Sequence, residues 1–322
     1  MVYDYYVMIL SILKENDEEN APSFRGWSVF ITLTGQEDDR MRKTMGVLGP
    51  KGTHSEAAAS YLNGRLETPC ELVTVPDLFE CLQYVDEGKL DTALVPVENS
   101  LEGAINITLD TLARSETLEV VRELIWPVHN QLMGKCDAGE VRCVYSHPQP
   151  ISQCRAYLQQ HYPQAEIVKV SSTARAAELV AAEPASAGWA AICTERAGEL
   201  NGLRTLATDI QDNMANCTRF FQVRRRGTGD QCLPKEKVLI ICQMDGQKAG
   251  ALYEVLREFA TRGINMTRIE SRPARTELGA YIFFFDLEYT SDEKALQESI
   301  DAVAKKSIWL KNLGAFPVYT VE

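Results

Sequence analysis

Short apolar runs alternate with stretches of helical spacing from Met45 onward, and this alternation constrains the fold more than any other feature of the chain. Strands separated by helices in this way normally pair in parallel, so the pattern predicts open sheets built from β-α units. We predict strands at 46–48, 72–75 and 92–97. The helix after the first strand is expected to open with a capping box of Thr53 and Glu56, and Asp77 is expected to cap the next helix.

A second alternating block predicts a second lobe. A helix at 105–114 precedes it, and its elements are apolar runs at 118–128 and 141–145, a helix at 151–161, a strand at 167–170, an Ala-rich helix to Ala182 and a strand at 190–193. We assign residues 45–120 and 200–226 to one lobe and residues 121–199 to the other. The expected fold class is therefore α/β with two lobes.

The last part of the chain has the pattern of a separate small domain. Residues 224–230 are charged and contain glycines, which is typical of a linker, and we place that linker at 227–235. The predicted elements beyond it are a strand at 238–243, a helix at 251–262, strands at 264–271 and 280–288, a helix at 293–305 and a closing strand at 316–321. This β-α-β-β-α-β order predicts a ferredoxin-like domain over residues 236–322.

Residues 1–44 lack this alternation. The apolar stretch from Val2 to Leu13 is short, contains Asp4 and precedes an acidic run, so it predicts neither a membrane span nor a signal peptide. Both Met41 and Met45 could serve as translation starts. We interpret residues 1–44 as an N-terminal extension that is either disordered or encoded upstream of the start codon in use.

Charge and composition exclude several classes of partner. The formal net charge is −12 and the pI is about 5.0, whereas binding a nucleic-acid backbone requires clustered Lys and Arg. Nine cysteines without a C-x-x-C pair predict reduced, mostly buried thiols of a cytoplasmic protein, and the four histidines show no metal-ligand spacing. We therefore expect small-molecule ligands, no metal, no nucleic acid and no membrane.

Polar motifs follow four of the predicted strands. They are Gly49-Pro50-Lys51-Gly52-Thr53, Glu98-Asn99-Ser100, Ser146-His147-Pro148-Gln149 and Ser171-Ser172-Thr173. Open α/β sheets bind ligands outside the carboxyl ends of their strands, where helix N-termini attract anions. A hydroxyl beside a fixed cation, Thr218-Arg219, follows a polar stretch further along. Together these segments are candidates for a small-anion site.

In these motifs the chain resembles prephenate dehydratases that carry a C-terminal ACT regulatory domain. The resemblance covers residues 45–322 and rests on motifs in the family's order: Gly49-Pro50-Lys51-Gly52-Thr53-His54-Ser55, Pro96-Val97-Glu98-Asn99-Ser100, Ser146-His147-Pro148-Gln149 with Gln153, Asn216-Cys217-Thr218-Arg219-Phe220, Gly250-Ala251-Leu252 and Glu270-Ser271-Arg272-Pro273. It implies two periplasmic-binding-protein-like lobes with the active site in the cleft between them. It also implies a carbon-oxygen lyase that needs no metal or organic cofactor.

The implied reaction converts prephenate to phenylpyruvate with loss of carbon dioxide and water. The resemblance places Thr218 at the leaving hydroxyl, and we favour hydrogen-bond donation over full proton transfer, because an aliphatic hydroxyl is a poor acid. The implied catalytic residues are Thr218, Asn99, Glu98, Ser146 and Gln153. The implied substrate-binding residues are Thr53, Ser55, Ser100, Ser172, Thr173, Asn216, Arg219 and Phe220.

Several of these residues have alternative interpretations. Arg219 either clamps a substrate carboxylate or pairs with an acidic side chain that ties the lobes together. Phe220 fits the core better than a stacking role, and Glu98 fits an orienting role, because a carboxylate that faces a dianion is unfavourable. His54 stands where the family usually has Phe, and we expect a neutral imidazole there rather than a titrating one.

The resemblance also implies an effector site for phenylalanine between two C-terminal domains, and hence a homodimer or homotetramer. The residues concerned are Gly250, Ala251, Leu252, Asn265, Glu270, Ser271, Arg272 and Pro273. Glu270 and helix N–H groups can hold the ammonium and carboxylate of an amino acid, and Gly250 is expected to allow close backbone approach.

Three alternatives remain at this point. An arogenate dehydratase performs the same elimination on the transaminated side chain. A non-catalytic small-anion-binding sensor would use the two lobes for capture alone. The C-terminal domain could also be a dimerisation module without a ligand.

Overall fold

The computed structural model describes residues 42–228, 233–275 and 280–321. The predicted N-terminal extension lies outside these residues except for 42–44, and so does the middle of the predicted linker, 229–232. Thr44 already belongs to the first strand.

The elements of the first two lobes follow the predicted alternation. The first run comprises β1 (Thr44–Leu48), α1 (His54–Asn63), β2 (Glu71–Val75), α2 (Leu78–Asp86), β3 (Thr92–Asn99), β4 (Gly103–Ala104), α3 (Asn106–Arg114) and β5 (Leu118–Pro127). The second run comprises β6 (Gln131–Gly134), a 3₁₀ turn (Ala138–Glu140), β7 (Cys143–Ser146), α4 (Pro148–Gln153), α5 (Arg155–His161), β8 (Glu166–Lys169), α6 (Thr173–Ala182), a 3₁₀ turn (Ala185–Ala187), β9 (Trp189–Cys193), α7 (Glu195–Leu200) and β10 (Arg204–Ala207).

The remaining elements return to the first lobe and then form the C-terminal domain. They are β11 (Cys217–Arg225), β12 (Lys237–Gln243), α8 (Ala251–Ala260), β13 (Met266–Pro273), β14 (Tyr281–Glu288), α9 (Glu293–Ala304), β15 (Trp309–Phe316) and β16 (Val318–Thr320).

The described strands form three sheets. Lobe 1 has the order β16-β5-β11-β3-β1-β2 with β4 beside β3, and lobe 2 has the order β10-β6-β9-β7-β8. The C-terminal sheet has the order β13-β14-β12-β15. This order and the helix positions confirm the prediction of a two-lobed α/β region followed by a ferredoxin-like domain.

The chain crosses between the lobes twice, at residues 128–130 and 208–216. The predicted boundary near residue 121 lies inside β5, which pairs with β11 in lobe 1. The predicted boundary near residue 200 precedes β10, which pairs with β6 in lobe 2. Sheet membership therefore gives lobe 2 the residues from about 131 to 207.

Two element predictions are wrong, and several short strands were not predicted. The helix predicted at 151–161 is two helices, α4 and α5, that meet at Cys154. The short strands without a prediction are β4, β6 and β10. The closing strand of the C-terminal sheet is β15, Trp309–Phe316, whereas β16 in the predicted segment pairs in parallel with β5 of lobe 1.

The C-terminal sheet is covered on both faces, which fixes it against lobe 1. On one face Ile240, Phe285 and Leu287 pack with residues of α8 and α9. On the other face Leu239, Phe284 and Phe316 join one buried cluster with residues of α2, α3 and β11. Because burial of this apolar surface is the dominant favourable term, the sheet and lobe 1 form one packed unit.

The helix caps confirm part of the predicted helix starts. Asp77 accepts hydrogen bonds from the backbone N–H groups of Phe79 and Glu80, and Thr53 accepts one from Glu56. The Glu56 carboxylate, however, accepts from Gly52 N–H rather than from Thr53, so the capping box is only half formed.

All eight described cysteines are free, and Cys232 lies outside the described residues. Cys70 and Cys217 are half-buried and the others are buried, which confirms that most act as small apolar side chains. Burial raises the pKa of Cys81, Cys154 and Cys193 to about 12. Among the helices of the described segments, none combines the length and apolar character that spanning a bilayer requires.

Candidate active site

The ends of β3 and β11 bring Asn99, Thr218 and Asn216 together. Thr218 lies opposite Asn99 in the register of the two strands. The Asn99 Nδ2 atom donates to Thr218 Oγ1 at 3.0 Å and to Asn216 Oδ1 at 2.9 Å. The Asn99 Oδ1 atom accepts from Leu101 N–H at 3.0 Å, which fixes the orientation of the amide. We call Asn99, Asn216 and Thr218 the amide–hydroxyl cluster.

Two donors of this cluster have no acceptor among the described residues. The Thr218 hydroxyl accepts from Asn99, and among the described residues it donates to no other group. The Asn216 Nδ2 atom is buried and has no partner in the same part of the structure. A buried amide without an acceptor is unfavourable unless a ligand satisfies it, so both groups point to an oxygen-rich ligand.

Ser100 supports the amide–hydroxyl cluster through hydrogen bonds to the backbone. Its hydroxyl donates to Ala215 O at 3.0 Å and accepts from Cys217 N–H at 3.0 Å. These bonds fix the backbone on both sides of Asn216. Ser100 therefore supports the site through the backbone rather than with a free hydroxyl.

Helix N-termini from both lobes meet at Gly52. A Cβ atom at Gly52 would lie 3.0 Å from Ala197 and 3.6 Å from Ala174, and the φ of Gly52 is +85°, so only glycine fits there. Thr194 also donates to Gly52 O at 2.6 Å. Because Gly52 precedes α1, Ala174 lies in the first turn of α6 and Ala197 lies in α7, the positive ends of three helices converge.

The four predicted hydroxyl residues lie at these helix starts. Thr53 and Ser172 cap α1 and α6 and accept from Glu56 N–H and Arg175 N–H, respectively. Ser55 and Thr173 are buried in the first turns of the same helices. All four are therefore near the contact between the lobes, as an anion-binding role requires.

An ion pair holds the lobes together beside this contact. Arg196 of lobe 2 donates from Nε to Glu56 Oε2 at 2.6 Å and from Nη2 to Glu56 Oε1 at 2.9 Å. Burial alone would raise the pKa of Glu56, but the Arg196 guanidinium lowers it overall. Bidentate geometry makes this a strong contact between the lobes. Neither Arg196 nor Glu56 was predicted as a residue of the site.

The first crossing between lobes contains a buried amide, Asn130. Its backbone N–H donates to Gln211 Oε1 at 2.9 Å, which joins the two crossings. Its Nδ2 atom makes a weak contact of 3.4 Å with Gln153 Oε1. Gln153 therefore contacts the first crossing between the lobes. Its described side-chain contact does not involve the amide–hydroxyl cluster.

His54 faces the same crossing. The residue is half-buried, but its Nε2 atom is buried without a partner among the described residues. Burial lowers the pKa of His54 to about 4, a contact with Asn130 opposes the shift, and the nearby His129 adds to it. The imidazole is therefore neutral at pH 7, in line with the expectation for this position.

Replacing His54 by Phe is expected to make the protein less sensitive to acid. The pKa of His54 is about 4 in the folded protein against 6.5 for an unperturbed imidazole, so the unfolded state binds more protons between these values. Stability then decreases as the pH falls through this window, by about 2 kcal/mol at pH 5. Urea unfolding of His54→Phe at pH 7.5 and pH 5 should show a loss on acidification that is smaller by about this amount.

His161→Phe is the matched control, because it removes an imidazole that is exposed. This variant should keep the pH dependence of the original protein. An unchanged pH dependence in His54→Phe would show that the imidazole of His54 is not the group responsible.

Ser146 does not reach the cluster. It is fully buried at the end of β7 and donates to Ile192 O of β9 at 2.7 Å. Its hydroxyl therefore stabilises the lobe 2 sheet, which differs from the predicted catalytic position.

Glu98 and Arg219 lie on the other face of the lobe 1 sheet. Each is adjacent in sequence to a cluster residue, and side chains alternate between faces along a strand. Arg219 donates to Glu98, Glu123 and Asp286 at 3.0, 2.7 and 2.6 Å. Of the two interpretations of Arg219, pairing with acids agrees with this geometry, and the pairs tie lobe 1 to the C-terminal domain rather than lobe to lobe.

Phe220 is a core residue. It is 1% exposed and packs with Met45, Leu94 and Leu124 beneath α1. The substrate contact assigned to it is therefore not available, and the core interpretation is correct.

The predicted effector residues form two separate groups in one chain. Gly250 precedes α8 with a φ of +80° and has open space around it, so left-handed backbone rather than close approach requires glycine there. Ala251 and Leu252 pack against the domain core. The other group comprises Asn265 and the β13 residues Glu270, Ser271, Arg272 and Pro273, and no hydrogen bond between described residues joins it to the first.

Two cavities lie away from the amide–hydroxyl cluster. One, of about 460 Å³, is bordered by residues 138–141 and 161–165 of lobe 2. The other, of about 170 Å³, lies between α3 and the C-terminal sheet and is lined by Asp110, Pro273 and Trp309 among others. Neither is lined by a residue of the cluster.

Residues 45–228 match the family model of prephenate dehydratase, and residues 238–304 match that of the ACT domain. A prephenate dehydratase of Methanocaldococcus jannaschii is 33% identical over 270 residues, which cover 84% of this chain and 96% of the relative.

Two solved structures are similar over most of the chain. The prephenate dehydratase of Arthrobacter aurescens in complex with L-Phe has a TM-score of 0.75 at 32% identity, over 85% of this chain and 90% of that one. A quorum quenching acylase has a TM-score of 0.74 at 26% identity, over 86% of this chain and 98% of that one.

Proposed function

The chain belongs to the prephenate dehydratase family and carries a C-terminal ACT domain, and we propose that the amide–hydroxyl cluster is the catalytic centre of that reaction. The enzyme converts prephenate to phenylpyruvate, carbon dioxide and water. The Asn99 to Thr218 hydrogen bond is the observation that carries this assignment, because it leaves the Thr218 proton free for a ligand.

The elimination breaks two bonds and forms an aromatic ring. The ring carboxylate leaves as carbon dioxide, its bonding electron pair forms a ring double bond, and the C–O bond at the opposite ring carbon breaks. The departing oxygen gains negative charge and leaves as water once it is protonated. A hydrogen bond from Thr218 to this oxygen is stronger in the transition state than in the substrate, so it lowers the barrier.

Binding of the substrate requires compensation of two carboxylates. The converging N-termini of α1, α6 and α7 offer backbone N–H groups and positive dipole ends for that purpose. Asn216 Nδ2 offers a further neutral donor. We place the substrate between these helix ends and the cluster, with the lobes separating for its entry and closing through Arg196 and Glu56.

An acyl-transfer role fits the site less well. A hydroxyl nucleophile needs a base within hydrogen-bond distance to accept its proton. Around Thr218 the described hydrogen-bonding partner is the amide of Asn99, which cannot accept a proton from it. A hydrogen-bond donor is thus the role that this environment supports.

We propose phenylalanine as the feedback effector and a homodimer as the functional unit. The two groups of predicted effector residues are apart within one chain, so a second chain is needed to bring them together. Strand β13 lies at the edge of its sheet and exposes Ile269, which gives a surface for such pairing. The free thiols support a cytoplasmic location.

An assay of the purified protein with prephenate, with phenylpyruvate followed by ultraviolet absorbance, tests this function. We expect turnover that phenylalanine inhibits. Turnover of arogenate but not of prephenate would assign the alternative substrate. Tight binding of prephenate without turnover would assign the non-catalytic sensor instead.

A further inference from the structure

The Glu98 carboxylate lies between two arginines from different domains. Its Oε2 atom accepts a hydrogen bond from Arg219 Nη1 at 3.0 Å and forms an ion pair with Arg268 Nε at 2.8 Å. Arg219 follows Thr218 in lobe 1, and Glu98 precedes Asn99 on the adjacent strand. One carboxylate is thus bonded to both strands of the catalytic centre and to β13 of the C-terminal domain.

The Arg268 guanidinium contacts two carboxylates. In addition to Glu98, it contacts Glu270 Oε2 from Nη2 at 3.3 Å. Arg268 and Glu270 are two residues apart on β13, so both side chains lie on the face of the sheet that packs on lobe 1. The Arg268 side chain is 13% exposed, which reduces screening of these charges by water.

We propose that Arg268 is the positioning residue that couples the effector site to the catalytic centre. The proposal rests on the proposed function, in which Glu270 receives the ammonium group of phenylalanine. Glu270, Arg268, Glu98 and Arg219 then form a continuous ionic chain that ends one residue from both Asn99 and Thr218.

Binding of the effector at Glu270 changes the ionic contacts that lead to the catalytic centre. An ammonium group at Glu270 neutralises the carboxylate that Arg268 otherwise contacts, so Arg268 is left to bind Glu98 alone. Arg219 shares the same Glu98 oxygen and loses part of that contact. Since Arg219 and Glu98 are adjacent to Thr218 and Asn99, the hydrogen bond between the latter pair changes, and turnover falls. Because binding linkage is reciprocal, removal of Arg268 changes two effects by the same factor: that of phenylalanine on prephenate binding and that of prephenate on phenylalanine binding.

Lys311 of β15 provides a comparison. Its Nζ atom donates to Ala113 O and Ser115 O at the end of α3. This contact also joins the two domains, but it involves neither a residue of the catalytic centre nor a predicted effector residue. General loosening of the domain contact can therefore be separated from loss of the Glu98 connection.

The test is Arg268→Gln in the full-length protein, with prephenate turnover measured against phenylalanine concentration and phenylalanine binding measured by calorimetry without substrate. We expect the concentration for half-inhibition to rise about tenfold or more, while the dissociation constant does not increase. Retained binding with lost inhibition is a result that general loosening of the domain does not give. An unchanged half-inhibition concentration, or a parallel loss of binding and inhibition, would overturn the proposal.

Lys311→Met is the matched control, since it removes hydrogen bonds between the C-terminal domain and lobe 1 without touching a predicted effector residue. We expect its inhibition by phenylalanine to match that of the original protein, and an equal loss of inhibition in this variant would contradict a specific role of Arg268. If Arg268→Gln does not fold, Arg268→Lys retains a charge but cannot span both carboxylates, and it should lose part of the inhibition. Absence of inhibition in the unmodified protein would refute the effector assignment itself, independently of Arg268.

Discussion

Replacing Thr218 by Ala is expected to lower kcat for prephenate by about 10²- to 10⁴-fold, the range for loss of a positioned donor. The Thr218 hydroxyl accepts a hydrogen bond from Asn99 Nδ2 at 3.0 Å, which directs its own proton toward the ligand side. Alanine removes that donor and leaves Asn99 bonded to Asn216, so the site should keep its shape. Steady-state assays of the purified variant, with a melting curve to confirm folding, measure the effect.

Thr218→Ser is the control for this prediction, because it retains the hydroxyl and removes only a methyl group. It should keep kcat within about tenfold of the original value. A Thr218→Ala enzyme with near-normal kcat would remove the residue from the reaction, and an equal loss in both variants would point to packing rather than to the hydroxyl.

Sequence reasoning could predict where the site lies, because strand-end geometry is a property of the fold class. The apolar pattern predicts the strand that ends at Asn99. Asn216 and Thr218 lie at the start of β11, which is the neighbour of β3 in the sheet. The helix starts at Thr53 and Ser172 were predictable from their caps. Their convergence at Gly52 depends on how the lobes pack, which no local pattern contains.

The roles within each motif are less predictable than its position, because neighbouring side chains on a strand point to opposite faces of the sheet. If Thr218 faces the cleft, Arg219 must face the other way, and the same applies to Asn99 and Glu98. This alternation was available in the sequence and would have moved Glu98 and Arg219 out of the substrate site. Ser146 is different, because its bond to Ile192 depends on a strand that is distant in sequence.

Contacts between distant segments explain the wrong elements. Asp212, in the second crossing, accepts from the backbone N–H of Ala156, so a remote residue caps α5 and divides the predicted helix. In β15, Lys311 interrupts the apolar pattern, and its Nζ donates to Ala113 O and Ser115 O at the end of α3. The apolar pattern therefore predicts the closing strand in the more strongly apolar tail, but this tail pairs with β5 of lobe 1 instead.

Replacing Arg219 by Met is expected to lower the free energy of unfolding by about 3–5 kcal/mol, the cost of removing one partner from a buried ion pair. Glu123 and Asp286 are 0% and 1% exposed, and both depend on the Arg219 guanidinium. Burial alone would lower the pKa of Arg219, but these carboxylates raise it overall, so the group is charged at every accessible pH. Without it, Lys237 still compensates Glu123 at 2.7 Å, whereas Asp286 is left uncompensated. Urea unfolding at pH 7.5 measures the loss.

Two further variants separate buried charge from other effects of the substitution. Arg175→Met removes one partner of an exposed pair with Glu178 and should change the free energy of unfolding by less than about 1 kcal/mol. Adding Asp286→Asn to Arg219→Met removes the uncompensated charge, so the double variant should be more stable than Arg219→Met alone. If the double variant is instead less stable by the sum of the two single losses, Arg219 and Asp286 act independently. In that case the loss in Arg219→Met comes from its contacts with Glu98 and Glu123 rather than from an uncompensated Asp286.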